Sequence, residues 1–122
     1  MGVTTNPPEN GRSFAGVPVV TELSAFQADV AILGIPYGTT YDVESPVNES
    51  AGSPTAIRAR TGPAMLYHHD FDIDRAVLAG DDTDVRLVDC GDVAGSPHPS
   101  DGAANRAMAT DAVKSILWAG AV

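Results

Sequence analysis

The densest run of side chains able to do chemistry is His68-His69-Asp70-Phe71-Asp72-Ile73-Asp74. It offers imidazoles and carboxylates, the ligands of hard or borderline divalent cations. If the segment is extended, a period of two puts His68, Asp70, Asp72 and Asp74 on one face and Phe71 and Ile73 on the other. The same alternation is the ordinary signature of a half-buried edge strand with a solvated acidic face, and that reading is the favoured one. A calcium loop started at Asp70 fails, because Arg75 stands where glycine is needed and Asp81 where glutamate is needed. Asp81-Asp82, with Asp84 close behind, reads as a solvated turn.

A second group is Asp89-Cys90-Gly91-Asp92, at the end of an apolar run, where α/β folds place their sites. Cys90 is the only cysteine, which excludes an internal disulfide framework and a cysteine-rich zinc site. With His98 as base, Cys90 would be a nucleophile; inert packing at a buried strand end is the favoured alternative. Asp89 is at least as well explained as a turn anchor that accepts backbone hydrogen bonds. Neither G-x-G-x-x-G nor G-x-x-x-x-G-K-[ST] occurs, so nucleotide binding has no motif behind it.

The elements that position these groups alternate between strand and helix. Asp29-Val-Ala-Ile-Leu-Gly-Ile35, closed by Pro36, reads as a strand buried on both faces, the kind found in parallel sheets. The polar stretch from Tyr37 to Ser53 is a candidate functional loop. Ser53 as N-cap and Pro54 in the first turn predict a short helix to about Arg60, ended by Gly62-Pro63. Asp84 to Asp89 predicts a second strand running into a turn at Cys90-Gly91-Asp92. Ala104, Ala107, Met108, Ala112, Ile116 and Ala119 recur at helical spacing, which predicts a helix over 100–119 with Gly120 beyond its end. Before all of these, residues 1–13 read as a disordered arm, and residues 14–26 as a helical turn or a strap across a neighbour. Residues 14–122 then form one α/β unit. Ala121-Val122 read as the entry to a third strand, so the domain is expected to be incomplete after its second main strand–helix unit.

The chain has 122 residues, with 7 Lys and Arg against 16 Asp and Glu, a formal net charge of −9. That balance repels phosphate backbones and anionic lipid, so neither nucleic acid nor a membrane surface is an expected partner. No basic-then-apolar leader and no apolar run of membrane-spanning length is present, and a cytoplasmic protein is expected.

Taken in order, DVAILGIPYGTTYD, GSPTAIRA, VRLVDCGDV and a helix ending in ILWAGAV resemble the amino-terminal part of the ureohydrolases, the arginase and agmatinase family. The resemblance covers Asp29 to Val122 and leans to the agmatinase and guanidino-acid hydrolase side. It implies a parallel-sheet, arginase-like α/β/α fold and hydrolysis of a guanidinium group to urea plus an amine. It also implies a homo-oligomer, a cationic guanidino substrate, and a manganese pair that activates a bridging hydroxide in the full-length enzyme. The Gly-Gly-Asp-His and Asp-x-His-x-Asp segments that carry the family's metal ligands are absent from this sequence, and the Asp-x-Asp triplets within Asp70 to Asp74 and at Asp82 to Asp84 do not correspond to the family's third ligand segment. No metal ligand or catalytic residue is therefore assigned, no manganese is expected in this chain, and the chain alone is expected to be inactive. Tyr41, Asp42, Glu44, Asn48 and Glu49 are the candidate substrate-loop residues, their acids placed to attract a cation or else simply solvated. The competing expectation is a non-enzymatic module that joins a partner chain through an exposed sheet edge and an apolar helix face. A small metal binder built on His68 to Asp74 is the remaining alternative.

Overall fold

The computed structural model describes residues 2–37, 49–62, 69–70, 75–76, 86–95 and 101–122. Its centre is the aliphatic, β-branched run Val30–Gly34, strand β1, which pairs in parallel with a later strand, Leu87–Asp92. Between them in sequence lie helix α1 (Ser53–Ala59) and two short strands, β2 (His69–Asp70) and β3 (Arg75–Ala76), so the later strand is β4. Helix α2 (Gly102–Trp118) follows it. The expected α/β architecture with a parallel pair is therefore present.

The β1–β4 ladder matches Val30 with Leu87, Ala31 with Val88, Ile32 with Asp89 and Gly34 with Asp92. Two residues of β1 thus span three of β4, which leaves one extra residue at Cys90-Gly91, a bulge. Gly91 absorbs it with φ of +70°, a conformation that costs other residues about 1–2 kcal/mol. This corrects the turn expected at Cys90-Gly91-Asp92: the bulge lets the strand continue, and Asp92 finds backbone partners beyond it.

Those partners come from the amino-terminal segment. Asn6 and Asp92 exchange backbone hydrogen bonds of 2.8 Å in each direction, and the Thr5 hydroxyl bonds the Cys90 carbonyl. Further along, Asp89 donates its N–H to Pro18 at 2.9 Å and accepts from Val20 at 2.9 Å. The segment expected as a disordered arm is instead tied along the outer edge of β4. Its Pro7-Pro8 pair removes donors only after Asn6, so Asn6 keeps the N–H that the contact with Asp92 needs. Both readings offered for residues 14–26 hold in part, with a 3₁₀ turn at Phe14–Gly16 and a strap through Val19, which bridges Asp89.

Helix α1 begins one residue earlier than expected, with Gly52 at the cap and Pro54 in the first turn. Helix α2 buries Asn105, Ala112 and Ile116, while Ala104 and Ala107 face solvent. The expected stripe therefore holds in the second half of the helix, at Ala112 and Ile116, and fails in the first, where methyl groups are tolerated on either face. Gly120, at φ of +84°, ends the helix and turns the chain back. Val122 then donates to the Asp29 carbonyl and accepts from Ala31, both at 3.1 Å, on the side of β1 away from β4. The pattern is that of a parallel strand, as the sequence predicted for Ala121-Val122.

The buried apolar cluster comprises Leu23, Ala28, Val88, Cys90, Val93, Ala112, Ile116 and Ala121. Large aliphatic side chains contribute roughly 1.5–3 kcal/mol each when fully buried, and among the described residues of this cluster these are Leu23, Val88, Val93 and Ile116. Net stability is a small difference between large terms, so each buried polar contact carries a large share of it. No helix among the described residues is long and apolar enough to cross a membrane.

Candidate functional site

At the carboxyl end of the parallel pair the last turn of α1 brings Arg58 against β4. The arginine is 3% exposed and Asp89 is fully buried. Arg58 Nε donates to Asp89 Oδ2 at 2.8 Å and Nη2 to Asp89 Oδ1 at 2.9 Å, a bidentate pair. Nη1 reaches Asp92 Oδ1 at 2.6 Å, and Nη2 also donates to the Gly91 carbonyl at 3.1 Å. Asp89 accepts two more bonds, from the backbone N–H of Phe14 at 2.7 Å and of Gly91 at 2.9 Å. Burial works to lower the Arg58 pKa, but hydrogen bonds and charge from Asp89 and Asp92 outweigh it, so the net shift is upward. The guanidinium stays charged, and one cation against two carboxylates leaves the cluster with a formal charge of −1.

The first strand contributes by what it lacks. A Cβ on Gly34 would overlap the Asp92 carboxylate and lie 3.0 Å from Pro54 Cβ, so glycine is what allows α1 and β4 to close over the strand end. Three residues later the Tyr37 hydroxyl bonds the Val93 carbonyl. Burial first, then the Asp92 charge, raises its pKa, so Tyr37 stays a neutral donor at ordinary pH. Beside the cluster lies a pocket of about 430 Å³, lined by apolar groups including Phe14, Ile32, Ile35, Pro54 and Ile57, with Arg58 at its wall.

Cys90 lies within this region without taking part in its chemistry. Its thiol has no solvent exposure and is pushed up to about 11 by burial and then by the Asp89 charge. A thiol at that value is almost wholly protonated at neutral pH, so inert packing is the reading the structure supports. In native buffer at pH 8, labelling of Cys90 by a disulfide reagent is expected to be at least tenfold slower than in denaturant. Equal rates would contradict the buried assignment.

The other sequence candidates fall differently. Tyr41, Asp42, Glu44 and Asn48 lie outside the described residues, and Glu49 opens a 3₁₀ turn, Glu49–Gly52, that leads into α1. His68, Phe71 to Asp74, Asp81, Asp82, Asp84 and His98 also lie outside them. Within the His68 to Asp74 run, His69–Asp70 pairs antiparallel with Arg75–Ala76.

Sequence reasoning missed Arg58 and Tyr37. The available signal was a question of balance: a carboxylate at a buried strand end needs a counter-charge, and Arg58, flanked by Ala56, Ile57 and Ala59, is the basic residue of an otherwise uncharged helix.

Chemically the cluster is a saturated ion network. Every oxygen of Asp89 is engaged, and Asp92 shares the same guanidinium, so a dication here would be repelled by Arg58 and would have to displace existing bonds. The donor set does not fit the manganese pair that the ureohydrolase resemblance implies, and no group of three or more His, Cys, Asp or Glu among the described residues is arranged to hold a metal ion. The network fixes strand ends; it does not itself activate water. No protein-family model matches the chain, and no curated protein or solved structure matches it.

Proposed function

We propose that this chain is the amino-terminal scaffold of a guanidinium hydrolase of the ureohydrolase type, and that by itself it does not hydrolyse guanidinium compounds. The supporting observation is the convergence of three separate sequence motifs. Arg58 of SPTAIRA bonds Asp89 and Asp92 of DCGD, while Gly34 and Tyr37 of GIPY bond the adjoining Val93 and Gly34 packs against the Asp92 carboxylate. Motifs that co-occur for a structural reason should touch, and these do. The cluster sits at the carboxyl end of parallel strands, the usual place for a substrate in an open α/β sheet. Its formal charge of −1 and the chain's −9 favour a cationic guanidino molecule over an anion.

In this reading the residues described here position a strand end and its neighbouring loop, while the groups that generate a nucleophile lie elsewhere in a full-length, manganese-dependent enzyme. The test is urea release from agmatine and short guanidino acids by the purified 122-residue chain, with and without added manganese. The expected result is no urea above the buffer blank in either condition. Sustained release in the presence of manganese would overturn the assignment of this chain as scaffold alone.

A further inference from the structure

The amino-terminal strap is not held evenly along its length. Its two legs lie on the edge of β4, Asn6 bonded to Asp92, and Pro18 and Val20 bonded to Asp89. Residues 7–17 between them leave that edge and reach the end of α1, a surface loop with both ends anchored. Residues 9–12 are exposed throughout, and a cavity of about 360 Å³ is lined by Glu9, Asn10 and Arg12 on one side and Thr55, Arg58 and Ala59 on the other. Two adjacent N–H groups peg the loop down. Phe14 donates to Asp89 Oδ2 at 2.7 Å, and Ala15 to Thr61 Oγ1 at 2.9 Å. The Thr61 hydroxyl in turn donates to the Arg58 carbonyl at 2.9 Å, and the Arg58 guanidinium holds Asp89, so the contacts close a ring. Within that ring Ala15 has φ of +50° and is 1% exposed. A left-handed alanine disfavours the closed loop by a factor of about 5–30.

We infer that residues 7–17 are a lid over the buried Arg58–Asp89 pair, one that opens as a single unit while both legs stay on β4. The two pegs are adjacent in sequence, so they act together. Losing the Thr61 acceptor removes what holds Ala15 left-handed, and the relaxed backbone no longer presents the Phe14 N–H to Asp89. Opening withdraws Phe14 from the wall of the apolar pocket of about 430 Å³ and frees an acceptor position on Asp89 Oδ2. Water then reaches a pair that is 3% and 0% exposed when the lid is closed. Local openings are drawn from segments with little buried apolar surface, as Glu9 to Arg12 are, and strain lowers their cost further. The inference rests on the strap and its pegs and does not depend on the guanidinium reading.

Amide hydrogen exchange in the full chain provides the test. Phe14, Ala15 and Val17 have N–H groups bonded by or within the lid, whereas the Val20 N–H bonds Asp89 from the anchored leg. In the wild-type chain the three lid amides are expected to share one protection factor, at least tenfold below that of Val20. Thr61→Val removes the Ala15 acceptor with little change of shape. It should speed exchange at Phe14 and Val17 as well as Ala15 at least tenfold, and leave Val20 exchange and Cys90 labelling unchanged. Thr61→Ser keeps the hydroxyl and should restore the wild-type pattern. Acceleration confined to Ala15 would show two independent bonds, and equal acceleration at Val20 and Cys90 would show loss of the whole fold. Either result, or wild-type protection at Phe14 equal to that at Val20, would overturn the proposal.

Discussion

Arg58→Ala is expected to cost about 3–5 kcal/mol of folding stability, because it leaves the fully buried Asp89 carboxylate without its bidentate partner. Two hydrogen bonds from Phe14 and Gly91 would remain, and they cannot replace a guanidinium charge in a site closed to water. A domain's total stability is commonly about 5–15 kcal/mol, so a loss of this size removes a large share of it. Arg58→Lys is the more informative partner. It keeps the charge but cannot reach both oxygens of Asp89 together with Asp92 and the Gly91 carbonyl, so it should fall between wild type and Arg58→Ala. Urea denaturation followed by circular dichroism reads both, with a lowered midpoint at unchanged slope as the expected signature. A loss below 1 kcal/mol for Arg58→Ala would mean that the network is solvated in solution.

Gly91→Ala carries the second large effect, through two additive mechanisms. The residue sits at φ of +70°, where an L side chain costs about 1–2 kcal/mol. The added methyl would also run into the Asn6 carbonyl, which accepts the Asp92 N–H. Relieving that overlap means moving the strap off the edge of β4 and giving up the paired bonds between Asn6 and Asp92. The expected outcome is a loss of at least 2 kcal/mol, with faster proteolysis of residues 2–13 than in wild type. Gly11, also at positive φ, has open space around its would-be Cβ and serves as the control: Gly11→Ala should show the backbone penalty alone.

The parallel pair was legible in the sequence because its signal is local. Val30 to Leu33 and Leu87-Val88 are short aliphatic runs bounded by Pro36 and Gly91, and that combination has few other uses in a soluble chain. The register was not legible. The bulge at Cys90-Gly91 depends on Asn6 arriving from more than eighty residues away, and no local pattern announces it. The strap was hidden for a related reason. Its first residues, to Ser13, are mostly polar, and a polar segment rich in Pro and Gly reads the same whether tied down or free. The cluster was half visible: Asp89 and Asp92 drew notice as acids at a strand end, whereas their partner looked like one more helical arginine. Long-range ion pairs leave no periodic trace, and only the demand for a counter-charge points to them.

The account rests on Arg58 and Asp89 acting as one unit that joins α1 to β4. A double-mutant cycle with Arg58→Met and Asp89→Leu, read by urea denaturation, tests this most directly. Arg58→Met leaves the fully buried Asp89 carboxylate without its counter-charge, Asp89→Leu leaves Arg58 with Asp92 alone, and the double replacement removes the buried Asp89 charge together with its bidentate partner. The double variant is therefore predicted to be more stable than either single variant, with a coupling energy of about 2–3 kcal/mol or more. Strict additivity, with the double variant losing the sum of the two single losses, would show that the residues do not interact in solution and would contradict the account.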